Sequence, residues 1–278
     1  MAKNIAYSPS SLSFIFRKIT GGNLLKTGSI GIGCTLDKGV TAQVKRSRET
    51  KIFLNGKVIK FPTVAYALRK LTDNPFNVDL TSPLPLGFGF GISAASTLAC
   101  LIAANQLLAK GKSRKAIIEI AHKAELVNHT GLGSVGTQAT GGFLIKKSAG
   151  IPFESTSLPF AGKKLYAIVL GKLETPTVVS DNKRLQKINQ AADKILEKIV
   201  KMANPTLSEI LDCSYDFAQE SLLLDTEKIA PTVEKIKKMG GHATMAMLGN
   251  VVISSINFQI KNYPTYSLTI SSDKVRIL

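Results

Sequence analysis

Between Phe76 and Ala109 the chain carries a single charged residue, Asp79, although 20% of its residues are charged overall. A stretch that long without charge belongs inside a fold. It divides into three pieces. Asn77 to Leu80 alternates like a strand, Pro85 to Gly91 is punctuated by proline and glycine, and from Ser93 to Ala109 the pattern is helical. The helical piece is rich in alanine and holds Asn105 and Gln106, which suits a buried core helix better than a membrane span. A strand, a glycine-rich loop and a helix, all interior, require further layers of structure to cover them.

The rest of the chain supplies those layers. Ile52 to Leu54, then Asn55-Gly56, then Lys57 to Phe61 predict a hairpin, because Asn-Gly suits the positive φ angles of a type I′ turn. Thr63 to Leu71 predicts a short helix, and Ser113 caps another with Ile117, Ile120, Ala121 and Ala124 on one face. Composition loosens from Gly150 to Lys163, which places a boundary between domains 1–155 and 156–278. The second half predicts a strand at Leu165 to Leu170 and a helix from about Asp181. A further helix follows Asn204-Pro205, and another runs from Lys228 to Met239 with a stop at Gly240-Gly241. Strands are expected at Val251 to Ser255, Tyr266 to Ile270 and Val275 to Leu278. The fold class expected is α+β with two subdomains.

Cys34, Cys100 and Cys213 are far apart and form no C-x-x-C, which argues against a disulfide framework or a zinc cluster. The opening MAKNIAYSPS lacks the apolar core of a signal peptide. A cytoplasmic setting without membrane association is expected. The 36 Lys+Arg against 19 Asp+Glu give a net charge of +17, which attracts polyanions. The basic residues are scattered and no tryptophan is present to stack on bases, so a dedicated nucleic-acid role is not expected.

The loop Pro85-Leu86-Gly87-Phe88-Gly89-Phe90-Gly91-Ile92-Ser93-Ala94-Ala95 carries the chemistry. Glycines allow a close backbone approach, and the helix that follows offers free N–H groups and the positive end of its dipole. Together they can cradle a phosphate. The same glycines would also serve a tightly packed turn. No lysine follows Gly91, so this is not a P-loop. No acidic residue stands near position 111, so it is not a dinucleotide fingerprint either.

The pattern P-x-G-x-G-x-G-x-S-A-A resembles the second motif of the GHMP kinases, which phosphorylate small molecules. Ala121 to Ser134 with Gln138 and Gly141-Gly142, Gly28 to Gly33 with Gly39-Val40, and Gly240 to Asn250 resemble segments of the archaeal pantoate kinases within that superfamily. The opening Ser8-Pro9-Ser10-Ser11 is similar to the first motif, less faithfully. The resemblance implies a ribosomal S5 domain 2-like N-terminal domain and a ferredoxin-like C-terminal domain, with ATP bound between them and a homodimer as the assembly. It implies transfer of phosphate from ATP to the 4-hydroxyl of pantoate, on the archaeal route to coenzyme A.

Residue by residue, it assigns Pro85, Gly87, Gly89, Phe90, Gly91, Ile92, Ser93 and Ala94 to the nucleotide, and Ser93 with Glu125 to Mg²⁺. Ser11, Ser13, Arg17, Lys26, Ser29, Thr130 and Gly241 fall in segments that could face the acceptor, and Arg17 and Lys26 are its candidate cations. Ser134 stands where the resemblance expects a basic aspartate. Three readings stay open: direct proton loss to the phosphate, a base supplied by His129 or Asp181, or lost activity. His122 is expected to be structural, and His242 lies in the third motif. The alternatives are a GHMP kinase for homoserine or mevalonate, a non-catalytic nucleotide sensor, or an RNA binder.

Overall fold

Two long antiparallel strands organise the molecule: β1 (Ile5–Ile19) and β2 (Gly28–Arg46). The structure is a computed structural model that describes residues 4–109, 111–171 and 182–278. Register shifts at Pro9/Ser11 and Ser13/Ile15 interrupt the pairing of β1 with β2. One edge of β2 is taken by β1. The other is shared by β6 (Phe143–Lys146), β11 (Thr265–Ser271) and β5 (Phe76–Thr81) in successive stretches.

The Asn55-Gly56 hairpin forms as the sequence predicts, with φ angles of 50° and 77°. Its strands β3 (Lys51–Leu54) and β4 (Lys57–Val58) stop short of Phe61, because Pro62 opens α1 (Pro62–Leu71). Helix α2 (Ile92–Leu107) lies against β1 and β2 and is buried along most of its length, as its lack of charge requires. Helix α3 (Arg114–Val127) is capped by Ser113, whose Oγ accepts from the Ala116 N–H at 3.2 Å. Helix α4 (Ser134–Thr140) is short and packs on β1.

The segment expected to be loose, from 150 to 163, contains β7 (Ser155–Leu158), which pairs with β6. The boundary placed between residues 155 and 156 therefore falls within that strand. Beyond it come β8 (Lys164–Gly171), α5 (Asn182–Val200), α6 (Leu207–Glu220), α7 (Ile229–Lys238), β9 (Ala243–Met245) and β10 (Asn250–Ser254). Asp181 lies outside the described residues. In the second half the strands stand in the order β11-β8-β10-β9, the fourth-first-third-second order of a ferredoxin-like sheet. Three described helices fill the first crossover, and no helix is present between β10 and β11. Finally β12 (Arg276–Ile277) returns to β1, pairing Ala6 with Ile277. The chain thus has an α+β fold in which one sheet runs through both halves.

Candidate active site

The glycine loop ends at Gly91, which takes the left-handed conformation (φ 63°, ψ 24°) as the N-cap of α2. A Cβ here would strike the Ser11 hydroxyl, so both conformation and space demand glycine. With no side chain capping α2, the N–H groups of its first turn are left for a ligand. The Ser11 N–H donates to the Phe90 carbonyl at 3.0 Å and ties the loop to β1.

Ser93 sits in that first turn and donates through Oγ to Glu125 Oε1 at 2.6 Å. Thr130 donates to the same oxygen at 2.8 Å, and its hydroxyl lies 3.1 Å from that of Thr63 at the start of α1. Ser93 and Thr130 therefore both donate to one carboxylate that is 3% exposed, and Thr63 braces Thr130 from α1. Burial raises the Glu125 pKa to about 7, against the opposing effect of the Ser93 and Thr130 hydrogen bonds. No cluster of three or more His, Cys, Asp or Glu side chains able to hold a metal exists among the described residues.

A cavity of about 410 Å³ opens beside this carboxylate. Its wall includes Lys146, near the end of β6, a residue the sequence reading did not single out. The Lys146 ammonium donates to the Gly133 carbonyl at 3.2 Å and lies 5.5 Å from the centre of the Phe153 ring. It has no carboxylate partner among the described residues. Burial lowers its pKa to about 8, since a cation is poorly solvated there. Gly133 makes room for it: a Cβ at that position would meet both Lys146 Nζ and Ser29 Oγ.

Of the residues singled out in the loop, Gly87, Gly89 and Phe90 to Ser93 line the cavity, while Pro85 and Ala94 do not. Ser11, Ser13, Ser29, Thr130 and Ser134 also line it. Glu125 stands behind Ser93 and Thr130. The remaining candidates lie elsewhere. Arg17 is held by Asp193 of α5 at 2.6 Å, and Lys26 is exposed in the connection between β1 and β2. Gly241 packs against Ile236 and Ile256, and His129 is exposed in a left-handed turn (φ 54°) after α3. His122 is buried, with Nε2 2.8 Å from the Thr27 carbonyl. His242 is 2.8 Å from Asp212. From the third motif it is Met247 and Leu248 that reach the cavity.

The family model of the GHMP kinases N terminal domain matches residues 57–142. A pantoate kinase of Methanocaldococcus jannaschii is 32% identical over 252 residues, covering 88% of this chain and 90% of that protein. A pantoate kinase of Thermococcus kodakarensis is 29% identical over 260 residues, covering 88% and 84%. Among solved structures, a phosphotransferase related to the CoA biosynthesis pathway superposes with a TM-score of 0.83 at 23% identity, covering 98% of this chain and 97% of that one. The last likeness is one of fold.

Proposed function

The chain belongs to the GHMP kinases, and from that premise we propose that it transfers the terminal phosphate of ATP to the 4-hydroxyl of pantoate in coenzyme A synthesis. One observation carries the reading. A single cavity brings together the uncapped N-terminus of α2, the Ser93–Glu125 pair and a buried lysine with no carboxylate partner among the described residues. The helix terminus suits phosphates. The lysine suits an acceptor that brings its own carboxylate, as pantoate does.

In the reaction, the acceptor hydroxyl oxygen bonds to the γ-phosphorus, the bond from that phosphorus to the bridging oxygen breaks, and ADP leaves. Ser134 is a poor base at neutral pH, and of the three readings the one adopted here passes the hydroxyl proton to an oxygen of the transferred phosphoryl group. Its own hydroxyl, in the first turn of α4, can orient the acceptor.

A carboxylate and a hydroxyl, both hard oxygen donors, fit Mg²⁺, which usually keeps much of its shell for phosphate and water. Ser93 and Glu125 would hold the ion, and it would offset the charge of the phosphates. The family resemblance extends the reading to a homodimer, and the composition extends it to a cytoplasmic setting with neither membrane nor nucleic acid as partner. No described helix is long and apolar enough to cross a membrane.

The test is ADP release with ATP and Mg²⁺ in the presence of pantoate, homoserine, mevalonate or buffer alone. Pantoate-dependent turnover is expected, with a loss of ~10²-fold or more in Glu125→Ala, the scale on which removing one preorganised electrostatic group acts. Turnover with another acceptor would keep the family and overturn pantoate. ATP binding without turnover would make the chain a nucleotide sensor, the reading that Ser134 in place of an aspartate favours.

A further inference from the structure

Gln138, in α4, is 0% exposed and touches the site through a single atom. Its Nε2 donates to the Gly91 carbonyl at 2.8 Å and to the Ser11 hydroxyl oxygen at 3.0 Å. The Gly91 carbonyl can only accept, so the NH₂ side of the amide must face this pair. The other side is left unmet: Oε1 is buried without a donor among the described residues. An amide that leaves its own carbonyl unsatisfied is held in place by what its nitrogen does.

The consequence falls on Ser11. A hydroxyl has one proton to give, and Gln138 occupies an acceptor lone pair of Ser11 Oγ. The Ser11 proton has no acceptor among the described residues. Ser11 is 3% exposed and lines the cavity. It also stands against Gly91, at the start of α2, where a Cβ would collide with its hydroxyl and lie within 2.8 Å of Gln138 Nε2.

We propose that Gln138 is a positioning residue that turns the Ser11 proton into the cavity, toward the terminal phosphate of a nucleotide bound at the N-terminus of α2. The identity of that anion rests on the kinase reading, whereas the direction of the proton rests on the geometry alone. Gln138 does not touch the nucleotide, and its effect passes through Ser11.

Gln138→Met keeps the length of the side chain and removes its donors, and Ser11→Ala removes the proton itself. ATP and ADP affinities are measured by calorimetry for both single variants and the double variant, beside kcat and the acceptor KM. Each single variant is expected to weaken ATP relative to ADP by about 3- to 10-fold, the worth of one hydrogen bond. Each lowers kcat and leaves the acceptor KM in place, and the double variant loses no more than the worse single. Should Gln138→Met fail to fold, Gln138→Glu has the same size and reverses the polarity, so that Ser11 donates to it, with a larger loss of ATP over ADP. An unaltered ATP-to-ADP ratio in either variant, or losses that multiply in the double variant, would overturn the proposal. The pattern in affinity without turnover of any acceptor would leave the proposal standing and remove the acceptor reading. Pantoate turnover with an unaltered ratio would do the reverse.

Discussion

Lys146 is the buried cation that the proposed reading pairs with the acceptor. If its ammonium pairs with the acceptor carboxylate, Lys146→Met raises the acceptor KM by about 10- to 100-fold, the worth of a hydrogen bond to a charged group, and changes the KM for ATP far less. Burial lowers the amine's pKa to about 8, and only its protonated form attracts an anion. The kcat/KM for the acceptor, which reports the free enzyme, is therefore expected to fall as pH rises through about 8. In Lys146→Met that limb disappears, and a pH profile of both proteins checks it. The sequence concealed this residue. Lys146 and Lys147 follow an apolar strand and look like a solvated strand end, whereas the pairing of Lys146 with Gly31 sets it inside. The missing side chain of Gly133 was the only local sign of room for an ammonium. Ser93 and Glu125, by contrast, were legible because their motifs are local. Arg17 and Lys26 are equally plausible cations in the sequence, and only tertiary contacts separate them from Lys146.

The helices that frame the site follow from signals a few residues apart. Ser113 caps α3 as its position ahead of the apolar face predicts, and Asn55-Gly56 turns the hairpin as its φ preferences predict. Ser113→Ala is expected to lower stability by ~1 kcal/mol, the usual worth of an N-cap, in urea unfolding. Turnover should be unchanged, because the cap lies at the far end of α3 from Glu125. Most strands were legible too, among them those at Leu165 to Leu170 and Tyr266 to Ile270, but two were harder to read. β7 is mostly exposed and shows no alternation, so nothing in Ser155 to Leu158 separates it from a loop. In β1 the two register shifts break the period of two on which strand recognition depends. The strand expected at Val275 to Leu278 does form, as β12, but only Arg276 and Ile277 belong to it.

At the scale of the molecule, the pairings that join the halves lie beyond any local pattern. Ile270 meets Leu36 and Ile277 meets Ala6, and no periodicity in the sequence announces either. We propose that the division near 155 and 156 marks two lobes that do not unfold separately, since β11 and β12 complete the sheet of β2 and β1. Far-ultraviolet dichroism and near-ultraviolet tyrosine dichroism should trace one coincident urea transition. Two resolved transitions would show that the lobes are independent. The same wiring sets an order of events on the ribosome. The glycine loop, Glu125 and Lys146 all lie within the first 146 residues, yet Met247 and Leu248 complete the cavity wall and β11 completes the edge of β2. A chain still being translated thus exposes every charged group of its site before it can enclose them, and the working cavity closes only once the second lobe has folded back onto the first.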